Sequence, residues 1–148
     1  MKIAIASDHG GFDLKEAIIA HLKEGGYEVL DEGTYSHDSV DYPLFARKAA
    51  DDVADGKAEF GIVCCTSAEG VCMTANKVKG IRCGIGYNDE VSEKLREHND
   101  ANMIAFAGGF MKPEEVMPRV DVFLKTPFAG GRHARRVEEM MMVEKEGR

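Results

Sequence analysis

The sequence predicts an α/β fold built on a parallel sheet. Three observations carry that expectation. Short apolar runs alternate with segments of helical period five times along the chain, a polar or glycine-bearing turn follows each run, and one amphipathic segment is left over after the fifth unit. Right-handed crossovers would place the turns that follow the strands along one edge of the sheet, where ligands of such sheets bind, outside the carboxyl ends of the strands. At 148 residues the chain suits one domain, 1–148, with a substantial core.

The elements follow in order. Residues 2–7 read as a strand, and Asp8-His9-Gly10-Gly11 as the turn after it. Phe12, Leu14, Ala17, Ile18 and Leu22 give a helix over 12–24 that Gly25-Gly26 ends. Tyr27 to Leu30 is a second strand, and a polar loop runs from Asp31 to Pro43. A helix is expected over 44–54 with Asp55-Gly56 as its stop. Phe60 to Cys65 is a third strand, followed by the small-residue turn Thr66-Ser67-Ala68-Glu69-Gly70 and a helix from Val71 to about Asn76. A fourth strand is expected over 81–87, with Asn88-Asp89 capping a helix over 90–97. After the polar turn from His98 to Asn102 comes a fifth strand, 103–107, then Gly108-Gly109. Pro113, Glu114 and Glu115 suit a helix start, although Pro118 sits inside the segment. Beyond a break at 128–131, an amphipathic helix over about 132–146 would pack on a partner subunit.

Composition narrows the functional classes. Hydrophobic content of 44% and charged content of 30% are those of an ordinary globular chain, and no apolar run nears the roughly 20 residues of a membrane span. Asp8 comes too early for a signal peptide, so the expected location is the cytoplasm. A net charge of −7 argues against a nucleic-acid partner. Arg132-His133-Ala134-Arg135-Arg136 reads either as a solvated helix face or as a site for a small anion. The four cysteines, Cys64, Cys65, Cys72 and Cys83, contain no C-x-x-C pair, so no metal ribbon is expected. Cys64 and Cys65 point to opposite faces of their strand. A redox role for that vicinal pair is a minor alternative to catalysis.

Cys65 ends its strand just before a helix start, where backbone N–H groups and the helix dipole favour an anion and acidify a thiol. A thiolate there suits proton abstraction next to a carbonyl, with the oxyanion held in the turn. His98 could open a sugar ring. Arg132 and Arg136 share a helix face and suit a phosphate, with His9 and His133 adding donors. Together these would isomerise a phosphorylated aldose to a ketose without metal or organic cofactor. Each residue also has a plainer reading: Asp8 as a helix cap, Tyr42 as loop packing, Asn99 as a turn former.

Six spaced motifs give the chain a close resemblance to the type B ribose-5-phosphate isomerase family, which includes the galactose-6-phosphate isomerase subunits. They are Ser7-Asp8-His9-Gly10-Gly11, Asp41-Tyr42-Pro43, Gly61-Ile62-Val63-x-Cys65, Ala75-Asn76-Lys77-x-x-Gly80-Ile81-Arg82, His98-Asn99-Asp100-Ala101-Asn102 and Gly130-Gly131-Arg132-His133-x-x-Arg136-Val137. The resemblance implies a Rossmann-like three-layer fold with a five-stranded parallel sheet and an extra C-terminal helix. It implies a homodimer or a dimer of dimers whose active sites are shared between chains, and a place in carbohydrate metabolism, in the pentose phosphate pathway. By position, Cys65 matches the general base and His98 the ring-opening residue. Ser67 and Asp8 join the catalytic set, with Asp8 also matching a sugar contact alongside Tyr42 and Asn99. His9, Thr66, Gly70, Arg132, His133 and Arg136 complete the substrate- and phosphate-binding set.

The chain departs from the family in the turn after Cys65. Relatives usually carry Cys-Gly-Thr/Ser-Gly-x-Gly, whereas here Thr66 and Ala68 replace two glycines and Ser67 and Gly70 keep the pattern. Both replacements resist a positive φ, so the turn must avoid such angles or carry strain. Glu69 is expected to face solvent. Gly109 stands where many members have an arginine near the phosphate. Ribose 5-phosphate to ribulose 5-phosphate is the simplest reaction. A four- or six-carbon sugar phosphate, or a weakly active sugar-phosphate-binding partner subunit, are the alternatives.

Overall fold

A computed structural model describes residues 1–147. Five strands form one sheet in the order β2-β1-β3-β5-β4, all neighbours parallel. The strands are β1 (Lys2–Ser7), β2 (Glu28–Asp31), β3 (Phe60–Cys65), β4 (Cys83–Ile85) and β5 (Met103–Ala107). The helices are α1 (Phe12–Glu24), α2 (Tyr42–Ala54), α3 (Glu69–Asn76), α4 (Asp89–Glu97), α5 (Pro113–Lys125) and α6 (Arg132–Lys145). A single 3-10 turn, His9–Gly11, joins β1 to α1.

Residues alternate across the sheet and feed two cores. On one face Ile3, Ile5, Ile62, Cys64, Ile104 and Phe106 pack under α1 and α5. On the other, Ala4, Ala6, Val63, Cys65, Ala105 and Ala107 meet Ala46, Ala49 and Ala50 of α2 and Val71 and Ala75 of α3. The alanine-rich face lets α2 and α3 lie close to the strands, which brings their first residues near the strand ends. Lys15, fully buried on α1, is held by ion pairs of 2.9 Å to both Glu16 and Asp31.

Several boundaries differ from the sequence reading. Helix α2 begins at Tyr42 rather than Leu44, because Pro43 fits a first turn that needs no N–H. Strand β4 is only Cys83–Ile85, not 81–87. It is an edge strand with one neighbour, and Ile81 N–H is already used in a turn to Val78 O at 3.2 Å. Helix α5 runs straight through Pro118. At its start Lys112 N–H donates to the Glu115 carboxylate at 3.0 Å, and Glu115 N–H donates to Lys112 O at 2.9 Å.

Helix α6 lies outside both cores and buries only Val137. It is tied to residues that precede strands, through Arg82 Nη1 to Met141 Sδ at 3.5 Å and Gly80 N to Glu144 at 3.1 Å. It therefore runs along the amino edge of the sheet. No helix among the described residues is long and apolar enough to cross a membrane.

Between β2 and α2, the Glu32 carboxyl is pushed up to about 7 by its hydrogen bond to Asp52, by burial and by the Asp52 charge. The folded protein thus holds that proton up to about pH 7, and the unfolded chain only up to about 4.5. The contribution to stability is complete below 4.5 and is lost as pH rises through about 7. Glu32→Gln keeps a donor toward Asp52 but removes the titration. Thermal melts at pH 5.5 and pH 8 should show a smaller drop in Tm for the variant than for the wild type.

Candidate active site

The chain reverses direction across the sheet between β1 and β3, since β2 lies on one side of β1 and β3, β5 and β4 on the other. In open parallel sheets the crevice outside the carboxyl ends at such a point takes ligands. Asp8 and Cys65 both sit there. Asp8 is buried, and its Oδ1 accepts the N–H of Gly11 at 3.1 Å, so it caps the 3-10 turn. His9 is exposed, and its Nδ1 accepts Val40 N–H at 3.2 Å. The neutral ring then carries its proton on Nε2, a donor free to face an anion.

The turn after Cys65 is fastened to its neighbours by backbone. Gly108 N–H donates to Cys65 O at 2.8 Å and Gly109 N–H to Thr66 O at 2.9 Å. A Cβ on Gly10 would strike the Thr66 hydroxyl, and one on Gly109 would lie 2.7 Å from Thr66 Cγ2. Thr66 thus wedges between two glycine turns. The strain expected of the turn falls on one residue: Ala68 has φ 70°, in the left-handed region, whereas Thr66 does not have a positive φ. Glu69 is exposed, as the sequence reading expects.

Ser67 Oγ accepts the Glu69 N–H at 3.4 Å. Among the described residues, no hydrogen bond takes the N–H groups of Gly70 and Val71, which point out of the start of α3. Tyr42, first residue of α2, covers Gly70 so closely that a Cβ there would lie 2.5 Å from its ring. Asp8, His9, Tyr42, Cys65, Thr66, Ser67 and Gly70 therefore form one cluster.

The remaining sequence-derived residues do not join them. His98 caps the C-terminal end of α4, which returns from the carboxyl edge to the amino edge. Between it and the Cys65 level lie the five residues of β5, where Ala107 pairs with Cys65 and Met103 with Gly61. That is about 16 Å of strand. His98 and Asn99 thus lie apart from Cys65 within one chain, since the turn before a strand lies at the opposite edge from the turn after it.

At that amino edge a second cluster forms. The His98 ring stacks on His133 with centroids 4.1 Å apart and planes 12° apart. Arg132 and Arg136 are exposed on the first turns of α6. Partial burial, His98, Arg132 and Arg136 all lower the His133 pKa from its ordinary value. Asn99 lines a cavity of about 670 Å³ between α6 and the body, with Arg82, Met140 and Met141. No group of three or more His, Cys, Asp or Glu among the described residues is placed to hold a metal ion.

Residues 3–140 match the model of the Ribose/Galactose Isomerase family. The chain belongs to that family. It is 42% identical to ribose-5-phosphate isomerase B of Escherichia coli K12, over 97% of this chain and 96% of that one. It is similar in structure to ribose-5-phosphate isomerase B of Clostridium thermocellum, with TM-score 0.97, 45% identity and 99% of each chain covered. The Mycoplasma genitalium ribose-5-phosphate isomerase B with bound ribulose-5-phosphate aligns with TM-score 0.93 and 40% identity over 98% of this chain and 97% of that one.

Within this isomerase-family fold, the backbone donors that the sequence places at the helix start after Cys65 are those of Gly70 and Val71. Sequence reasoning missed the wedge of Thr66 between Gly10 and Gly109, although two glycine turns flanking a threonine-bearing one were visible. Gly109→Ala should destabilise the fold by about 1–3 kcal/mol through overpacking against Thr66. In a Thr66→Ala background the loss should shrink, leaving a coupling of at least about 0.5 kcal/mol in a double-mutant cycle by chemical denaturation.

Proposed function

We propose that this protein is an aldose–ketose isomerase that interconverts ribose 5-phosphate and ribulose 5-phosphate in a site shared by two copies of the chain. The observation that carries the reading is the Cys65 thiol at the β1/β3 crevice, beside buried Asp8 and the unpartnered N–H groups of Gly70 and Val71. The substrate follows from the name of the Escherichia coli relative and the ligand of the Mycoplasma genitalium one.

One chain supplies Asp8, His9, Tyr42 and Cys65 to Gly70 from its carboxyl edge. The second copy brings His98, Asn99, Arg132, His133 and Arg136 from its amino edge. A shared site accounts for why two clusters of fitting chemistry lie at opposite edges of one sheet. Exposed apolar side chains support a homodimer: Met140, Met142 and Val143 on α6 are 44–54% exposed, and Met73 on α3 is 61% exposed.

In the reaction, His98 takes the proton of the anomeric hydroxyl as the C1–O4 bond breaks and returns it to O4, with Asp8 assisting. The Cys65 thiolate then removes the proton on C2 and returns it to C1. The proton of the C2 hydroxyl passes to the C1 oxygen, which completes the ketose. Negative charge on the enediolate is met by the Gly70 and Val71 N–H groups and the Ser67 hydroxyl. The phosphate lies among His9 Nε2–H, His133 and the guanidinium groups of Arg132 and Arg136. Tyr42 and Asn99 contact the sugar. The cytoplasm is the location expected for such a metabolic enzyme.

Cys65→Ala should lower kcat by about 10²–10⁴-fold with the melting temperature nearly retained. A substrate panel of four-, five- and six-carbon aldose phosphates, assayed for ketose formation, should give the highest kcat/KM with ribose 5-phosphate; near-wild-type turnover by Cys65→Ala would remove it as the base. Mixing inactive Cys65→Ala with inactive His98→Asn, after dissociation and reassociation, should restore about a quarter of wild-type activity, since half of random dimers then hold one intact site of two. No recovery despite mixed dimers seen by native mass spectrometry would place each site within one chain.

A further inference from the structure

Two thiols are left unused by the proposed chemistry and are not sealed in the core. Cys64 is sealed: it is wholly buried, and burial raises its thiol far above the ordinary range. Cys72 on α3 and Cys83 at the start of β4 are both half-buried, free thiols. Cys72 lines an open cavity of about 770 Å³ with Ser67, Glu69, Tyr87 and Phe110.

The two residues touch: Cys72 Sγ donates to Cys83 O at 3.4 Å, and both side chains pack against the same apolar cluster. Asn76, one turn after Cys72, holds them in place. Its Oδ1 accepts Cys83 N–H at 2.7 Å, its Nδ2 donates to Cys83 O at 2.8 Å, and the same Nδ2 lies 3.8 Å from Cys72 Sγ. The start of β4 is thus fixed to α3 by backbone contacts on the same residue that carries the second thiol.

We propose that Cys72 and Cys83 form a peroxide-reactive dithiol that closes to an intramolecular disulfide between α3 and β4. The Cys72 thiolate attacks one oxygen of hydrogen peroxide; the O–O bond breaks and hydroxide leaves, taking a proton to become water. Cys72 is then a sulfenic acid. The Cys83 sulfur attacks the Cys72 sulfur, the S–O bond breaks, and a second water leaves. Two thiols and one peroxide become one disulfide and two waters.

The division of roles follows from the surroundings. Cys72 lines the open cavity, and the neighbouring Cys83 thiol lowers its pKa against the opposing effects of burial and Glu69. The neighbouring Cys72 thiol and burial both raise the pKa of Cys83. The first is the attacking thiol and the second resolves it. The link would fasten α3, which starts just after the Cys65 turn, to the edge strand. It does not depend on the isomerase reading, because its readout is covalent.

The test treats the full-length wild type and Cys65→Ser with a small molar excess of hydrogen peroxide, alkylates remaining thiols, and maps peptides without reduction. Cys64, Cys65 and Cys72 share the tryptic peptide between Lys57 and Lys77, so linkage is assigned by fragmentation. The expected product is a Cys72–Cys83 link in both proteins, reversed by dithiothreitol. Cys83→Ser should instead stop at a Cys72 sulfenic acid captured by dimedone. Alkylated Cys72 and Cys83 after Cys65 has been consumed, a Cys72 oxidised without linkage in the wild type, or a link between chains would each overturn the proposal.

Discussion

Parallel pairing of β3 with β1 on one side and β5 on the other sets most of what the site requires, because it aligns the ends of three central strands at one level. Ser7 pairs with Cys64, and Cys65 pairs with Ala107, so the turns that begin at Asp8, Thr66 and Gly108 emerge side by side. Adjacent turns can then be joined by backbone alone, as Gly108 to Cys65 O and Gly109 to Thr66 O. A thiol on such a strand end is held by the sheet rather than by a flexible loop.

The same pairing demands small residues. Gly10, Gly11, Gly108 and Gly109 lie where a Cβ would meet neighbouring backbone or Thr66, and a Cβ on Gly11 would lie 2.5 Å from the Cys64 carbonyl carbon. Thr66 occupies the space these glycines leave. Ala68 carries the left-handed angle that its place before α3 imposes, at a cost of about 1–2 kcal/mol. The core around the turn, where Cys65, Ala68, Val71 and Ala107 pack together, holds that geometry.

Helices that run back across a parallel sheet divide the chemistry of the chain between its two edges. The carboxyl edge holds a thiol, a buried carboxylate and open N–H groups, and the amino edge holds stacked histidines beside two arginines. Positive charges gather at the second edge, and burial together with that field lowers the pKa of His133. The Cys65 thiol and the two arginines lie at opposite edges of one chain, and pairing of copies would unite them.

Periodicity determined the order of strands and helices, since alternation of short apolar runs with helical-period segments allows few other architectures, and α1, β3 and β5 begin and end where the pattern changes. It also marked Cys65 and the turn after it, because a strand, small residues and a helix start are local features. Edges and neighbours were decided only by the tertiary structure. The shortness of β4 depends on its having one partner, and the strain at Ala68 rather than Thr66 depends on the turn's contacts. The distance of His98 from Cys65 arises because a turn before a strand and a turn after one look alike in composition but lie at opposite ends of the sheet.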